Sequence, residues 1–334
     1  GLQDNDGDRK DASHLVGKKI LDSDKSIDHF YFNDRSCSIF RKDKIHRPRT
    51  PEIYKAPYVL FKKGLDCADY SIKAVYVEED FLYRETINCI KGSETDKNVL
   101  LNLCGLLNSS LFSYFNLMQG SSAGIEREQV FLEELADYPY TYSDELVELV
   151  QEMQREACHG HKDELQAKLN KCVMKMYGLQ DNWFVDYVLT VQIPMLCGAY
   201  QEKRCDVNMM REYASILSHI WDEHFGQSEV YYAVNIYPDI KGKFAALEVK
   251  FTFEKTAANI YIVDSVDDDI DLLTDFMIYQ LNDCFYQMKN ILEFSDDAFV
   301  IVKPIEAKNW HPAMAVKDSY KVLNTVLLGK EDCK

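Results

Sequence analysis

The sequence predicts an α+β protein: a mixed α/β first part, a helical hairpin, then an α+β domain with a small antiparallel sheet. Three observations carry this. Short apolar runs, several of them alternating, cluster in residues 28–92 and 229–304, as half-buried or buried strands do. Apolar residues recur at helical spacing in residues 98–119, 143–177 and 208–224. No internal repeat or low-complexity tract interrupts them. With 334 residues, 46% of them hydrophobic, the chain can bury a sizeable core.

Taken in order, residues 1–28 are polar, start without Met, and read as a solvated linker from a missing upstream domain. "DHFYFND" and "SCSIF" are short strands, "APYVLFKKG" is a buried strand bounded by Pro57 and Gly64, and "YSIKAVYVEEDFLYRETINCIKG" supplies two more. Asn98–Gly124 carries no charge and approaches the roughly 20 residues a bilayer needs. Its Asn102, Asn108, Ser109, Ser110, Ser113 and Asn116 would be costly in lipid, so it reads as one helix buried in protein, and no membrane is expected. Residues 143–156 and 162–177 form helices joined by a His159-Gly160-His161 turn. Leu165, Leu169, Val173 and Met176 make the second helix's stripe, and Gly178 caps it. Helices at 182–196 and 208–226 come next. Strands at 229–237, 244–253 and 259–265 are expected to form an antiparallel meander with Gly242 in a turn. A helix over 267–292, a strand at 298–304 and a helix over 313–328 complete the chain. The implied domains are 29–140, a connector at 141–181, and 182–334.

Ten cysteines are scattered without a CxxC pair, which fits reduced, mostly buried thiols and a cytoplasmic protein. The formal net charge of −17 argues on average against nucleic acid. The average hides a local exception. From Arg35 to Lys63 there are nine basic residues and two acidic ones, a net of +7. A local patch suffices to meet phosphate, because screening confines charge effects to about 10 Å.

Residues 28–140 resemble the target recognition domain of N6-adenine DNA methyltransferases and fused type IIG restriction–modification enzymes. The likeness lies in "IYKAPYVLFKKG", then "LLNLCGLLNSSLFSYFNLMQGSSAGIEREQV", then "LEELADYP". The Leu-Asn-Ser helix with its Gly/Ser loop is the most specific part. The hairpin ending in Tyr-Gly-Leu resembles the paired helices that pack back on such domains. The resemblance implies a bacterial-type defence protein whose partners are double-stranded DNA and an upstream methyltransferase domain. It implies DNA contacts from Arg41, Lys42, Lys44, Arg47, Arg49, Lys62 and Lys63, and from Ser121, Ser122 and Arg127 of the loop. S-adenosylmethionine would belong to the parent protein. The chain has neither an Asn/Asp-Pro-Pro-Tyr/Phe motif nor a Gly-rich loop for that cofactor, so no catalytic residue is assigned here.

Two alternatives come from other classes. "YPDIKGKFAALEVKF" has the form of a PD-(D/E)xK nuclease site, with Asp239 and Glu248 to hold Mg²⁺ and Lys250 to orient water. The nine-residue separation is short, and alternation places Glu248 and Lys250 on an ordinary wet face. The other alternative is a module whose acidic C-terminal part docks a partner. Cys158, His159 and His161 lack a fourth metal ligand, and His219 and His224 share a helix face poorly. Trp310-His311, beside Lys303 and Lys308, reads as a core anchor, and the run from Asp264 to Asp275 as helix-start carboxylates.

Overall fold

The computed structural model describes residues 1–5, 7–122, 129–156, 162–225, 231–252, 260–263, 291–295 and 298–328. The protein is α+β and divides into two compact units, Gly1–Tyr200 and Gln201–Lys334. Among the described residues, no helix is long and apolar enough to cross a membrane.

The first unit begins with two-residue strands: β1 (Lys10–Asp11) pairs with β6 (Lys44–Ile45), β2 (Lys19–Ile20) with β5 (Ser38–Ile39), and β3 (Ile27–Asp28) with β4 (Tyr31–Phe32). Its main sheet is antiparallel, with β7 (Tyr58–Lys62) between β8 (Ala74–Val77) and β9 (Ile87–Lys91). The run "YVLF" is buried because both faces of β7 are covered. Val59 and Phe61 pack on the helical side, while Tyr58 and Leu60 pack against the N-terminal segments. Residues 1–28 therefore differ from the expected solvated linker. Leu2, Ala12, Leu15, Ile20, Leu21 and Ile27 are buried in the core over that second face. They are sparse in a polar stretch, so composition hides them, yet each large one stabilises by about 1.5–3 kcal/mol when buried.

The uncharged stretch is two helices rather than one: α1 (Lys97–Leu107) and α2 (Ser110–Gln119). The break has a local cause. Ser109 is extended, and its hydroxyl accepts from Phe112 N, which starts a new helix at the following residue. After α3 (Leu132–Ala136) come α4 (Asp144–Glu156) and α5 (Lys162–Met176), whose apolar stripes (Val147, Val150, Met153; Leu165, Leu169, Val173) share one core. Gly178, at φ +66°, ends α5: its N–H donates to Lys175 O and that of Leu179 to Met174 O, the paired bonds of a Schellman cap. The joining turn with His159 and His161, and Cys158, lies outside the described residues.

The helix expected over 182–196 is continuous but not uniform. Between α6 (Trp183–Tyr187) and α7 (Ile193–Leu196) lies a π-helical turn, Val188–Gln192. Pro194 has no N–H and its ring would strike the Thr190 carbonyl, which a wider turn relieves.

In the second unit, α8 (Val207–Phe225) and α9 (Pro312–Leu328) pack on a five-stranded sheet. Its order is β12 (Ile260–Ile262), β10 (Tyr231–Ile240), β11 (Phe244–Thr252), β14 (Ala298–Pro304), β13 (Ile291–Phe294). β10 and β11 form the expected hairpin, turning through Lys241 and Gly242, both at positive φ. The third strand departs from the expected meander: β12 lies parallel to β10 on its far side, because β14 occupies the free edge of β11. The sheet is thus mixed, not antiparallel throughout. The expected 267–292 helix falls outside the described residues up to 290, and its last two positions belong to β13.

Candidate nucleic-acid interface

The basic run does not stand alone on the surface, because the N-terminal segments fold against it. Lys42 pairs with Asp4, and Lys44 sits opposite Asp11 in the β1–β6 register. Gln3 and Arg47 exchange backbone hydrogen bonds at 3.0 Å each way, leaving the Arg47 side chain exposed. Arg49 adopts the left-handed conformation at φ +64° and donates from Nε to Gly1 O at 3.2 Å. Arg41 is exposed. Residues 1–63 carry 14 basic and 10 acidic residues, so the +7 of the run falls to +4 for the segment that folds together. Lys42 and Lys44 are exposed, but the Asp4 carboxylate that Lys42 meets is only 8% exposed, so that pair is not one of the loose surface pairs worth at most about 1 kcal/mol.

A residue outside the basic run, Arg84, links the middle of the run at Arg47 to its end at Lys63. Leu2 bridges to Arg84 and Gln3 to Arg47. On the other side, Lys63 N donates to Thr86 O at 2.9 Å. Backbone pairing thus strings Lys63, Thr86, Arg84 and Arg47 into one row. Arg84 is exposed, and with Lys62 it lines a groove of about 630 Å³ that also holds Ser23, Ser36, Ser38 and Thr86. Asp22 and Asp24 lie in the same groove, where the Asp24 carbonyl accepts from Lys62 Nζ at 2.9 Å. Backbone N–H groups of Asp24 and Lys25 hold the Asp22 carboxyl below its usual range. The sequence conceals Arg84 because Glu79, Asp80 and Glu85 surround it there. Only strand pairing reveals it.

The described ends of the Gly/Ser segment, at Ser122 and Gln129–Val130, meet the same strand end. Val130 N donates to Lys63 O at 2.9 Å, and Lys63 Nζ stands 5.4 Å from the centre of the Phe131 ring. Ser122 is turned inward: its hydroxyl donates to Gln129 O and accepts from Gln129 N, closing the base of the loop. Ser121 uses its backbone N–H on Glu134. Arg127 lies outside the described residues. The Leu-Asn-Ser element itself is architectural, since Asn108 is 3% exposed and bonded to the β8 backbone.

The residues of the nuclease alternative are not brought together. Glu248 sits opposite Asn235, four residues before Asp239 on β10, which is roughly 13 Å of strand. Asp239 is exposed, pairs with Arg204 at 2.7 Å and accepts from Gly242 N. Glu248 corrects the expected wet face: it is 5% exposed, accepting from Asn235 Nδ2 and Tyr237 Oη and pairing with the exposed Lys250 at 2.9 Å. That face of the sheet is apolar around it, with Phe244, Ala246 and Val302 buried. His219 meets Glu223 and His224 meets the Ile220 carbonyl, so the two do not act together. Trp310 is fully buried and donates to Pro304 O, as a core anchor does. His311 accepts from Ala313 N at the start of α9, and Lys308 pairs with Glu306. The acidic run from Asp264 to Asp275 lies outside the described residues. Among the described residues no group of three His, Cys, Asp or Glu side chains is placed to hold a metal ion. No protein-family model matches the chain, and no curated protein matches it.

Proposed function

We propose that the first unit reads duplex DNA, as the target recognition part of an N6-adenine methyltransferase or restriction–modification protein. The methyl transfer and its S-adenosylmethionine would reside in an upstream domain. The row Lys63–Thr86–Arg84–Arg47 carries the reading. It crosses three strand spacings, up to about 14 Å. That reach suits phosphates on both sides of a major groove about 12 Å wide. Contacts of this kind set register, and we assign the reading of base edges to the segment that follows Ser122, whose far end at Val130 hydrogen-bonds to Lys63. The acidic remainder of the chain does not oppose this, because counterion release is local.

Fluorescence anisotropy with a labelled duplex at low salt tests the reading. Four to five phosphate contacts give a log–log salt slope of about −4. Replacing Arg47, Arg49, Lys62 and Lys63 together by Glu should abolish binding, and Arg84→Glu alone should weaken it about tenfold or more. Unchanged affinity in both variants would remove this row from any DNA face.

A further inference from the structure

The row proposed to carry the duplex has two ends and a middle. With phosphates met by Lys63 and Arg47 on the two sides of a major groove, the residue between them lies over that groove, where base edges are displayed. That residue is Arg84. It is exposed, and its guanidinium has no hydrogen-bond or ion-pair partner among the described residues. The cleft it lines also holds an acid, Asp22, half-buried on the neighbouring segment. Ile20 bridges in parallel to Leu82, and Thr86 Oγ1 donates to Ser23 Oγ at 2.9 Å. Asp22 and Arg84 lie between these two ties, which hold their segments side by side. Oδ1 of Asp22 is fixed by the N–H groups of Asp24 and Lys25, at 2.9 and 3.1 Å. Oδ2 accepts no hydrogen bond among the described residues, and the two opposite charges are not paired with each other.

An acid on a phosphate-binding face is an anomaly that base chemistry resolves. A carboxylate repels phosphates and the acceptor atoms of a base edge. It is favourable only against an amino group, which the major groove offers at cytosine N4 and adenine N6. A guanidinium fork needs two acceptors side by side, and guanine O6 and N7 supply them. Thymine offers O4 as an acceptor, which the carboxylate repels, and adenine offers the fork N7 alone. Both demands are met on one base pair only where guanine faces cytosine.

We propose, resting on the duplex reading above, that Arg84 and Asp22 determine specificity for one G·C pair. Arg84 donates to guanine O6 and N7, and Asp22 Oδ2 accepts from cytosine N4. Selection of duplexes from a randomised library by the whole chain tests it, followed by anisotropy on the selected duplex and on an unrelated one. The selected sequences should hold a position fixed as G·C. Arg84 is exposed, and Asp22→Asn keeps the oxygen that fixes the turn, so these substitutions leave the fold intact. Asp22→Asn should weaken the selected duplex about tenfold or more, because an amide N–H replaces the acceptor. It should bind the unrelated duplex at least as tightly, since a charge that repels phosphate is gone. Glu79→Gln, the same loss of charge at an exposed position outside the cleft, should leave the preference where it was. Arg84→Gln combined with Asp22→Asn should move that position from G·C to A·T, because one amide reads adenine and the other donates to thymine O4. No fixed G·C position, or an unaltered preference in Asp22→Asn and Arg84→Gln while duplex binding persists, would overturn this assignment and leave the duplex reading standing. Failure to bind any duplex would remove both.

Discussion

Asn108 clasps Ala74 by both ends of its amide: Oδ1 accepts from Ala74 N at 3.1 Å and Nδ2 donates to Ala74 O at 2.9 Å. The same Nδ2 reaches Cys104 O, so one side chain ends α1 and fastens it to strand β8. The Leu-Asn-Ser signature of the sequence is thereby a clamp between helix and sheet. Asn108→Leu would leave the Ala74 groups buried without that partner, and a loss of about 2–4 kcal/mol is expected. Urea denaturation monitored by circular dichroism measures it. A loss under about 0.5 kcal/mol would mean that water replaces the amide.

Gly105 faces the helical hairpin at close range. A Cβ there would stand 2.8 Å from Leu146 Cδ1 and 2.8 Å from Val150 Cγ2. Alanine is the better helix former by about 1 kcal/mol, so propensity alone predicts stabilisation. Overpacking in a close-packed core should win, and Gly105→Ala should cost about 1–3 kcal/mol. Adding Val150→Ala to Gly105→Ala should cost less than the sum of the separate changes. Strict additivity in the double-mutant cycle would show that the helices move apart freely.

Locality decides how much of the fold was legible in the sequence. The buried run of β7, the Gly178 cap and the hairpin stripe are local patterns, and each appears where periodicity or residue type placed it. The burial of residues 1–28 is not local, because isolated apolar residues acquire meaning only when a sheet face needs covering. Arg84 enters the basic row through backbone pairing with Leu2, which no charge count reveals. Glu248 defeats the rule that alternation implies one wet face. The sheet is apolar on both sides there, and Asn235, Tyr237 and Lys250 satisfy the carboxylate.

Cys104 offers a test of burial by pH. Desolvation pushes its thiol up to about 12, whereas the unfolded thiol titrates near 9.0. Between those values the unfolded chain has lost a proton that the native chain keeps. Stability therefore falls as pH rises, by about 1.4 kcal/mol per unit from this group. Below pH 9 the contribution is fully present. Stability measured from pH 8 to 10.5 should fall more steeply in the wild type than in Cys104→Ala; parallel curves would contradict the buried thiol. Brief alkylation at pH 8, read by peptide mass, should modify the exposed Cys67 before Cys104.

The core of the second unit contains a charge that its neighbours satisfy completely. Lys303 is 3% exposed, and its ammonium donates to Asp318 Oδ2, to Tyr213 Oη at 3.1 Å and to Asn309 O at 3.0 Å, one partner for each hydrogen. Tyr213 also donates to Asp318, at 2.7 Å, and its ring centre lies 4.7 Å from the ammonium. Burial pulls the Lys303 pKa down and the adjacent Asp318 carboxylate opposes that. Removing either ion alone strands the other, so Lys303→Met or Asp318→Leu should each cost about 3–5 kcal/mol. Removing both strands neither. The Lys303→Met, Asp318→Leu double variant should recover at least half of the larger single loss, with the unpaired Tyr213 hydroxyl limiting the recovery. Adding Tyr213→Phe to the double variant should recover more. Chemical denaturation of the four proteins decides it: losses that simply add would show that the pair is not coupled and that Lys303 is held by the Asn309 carbonyl and the aromatic rings alone.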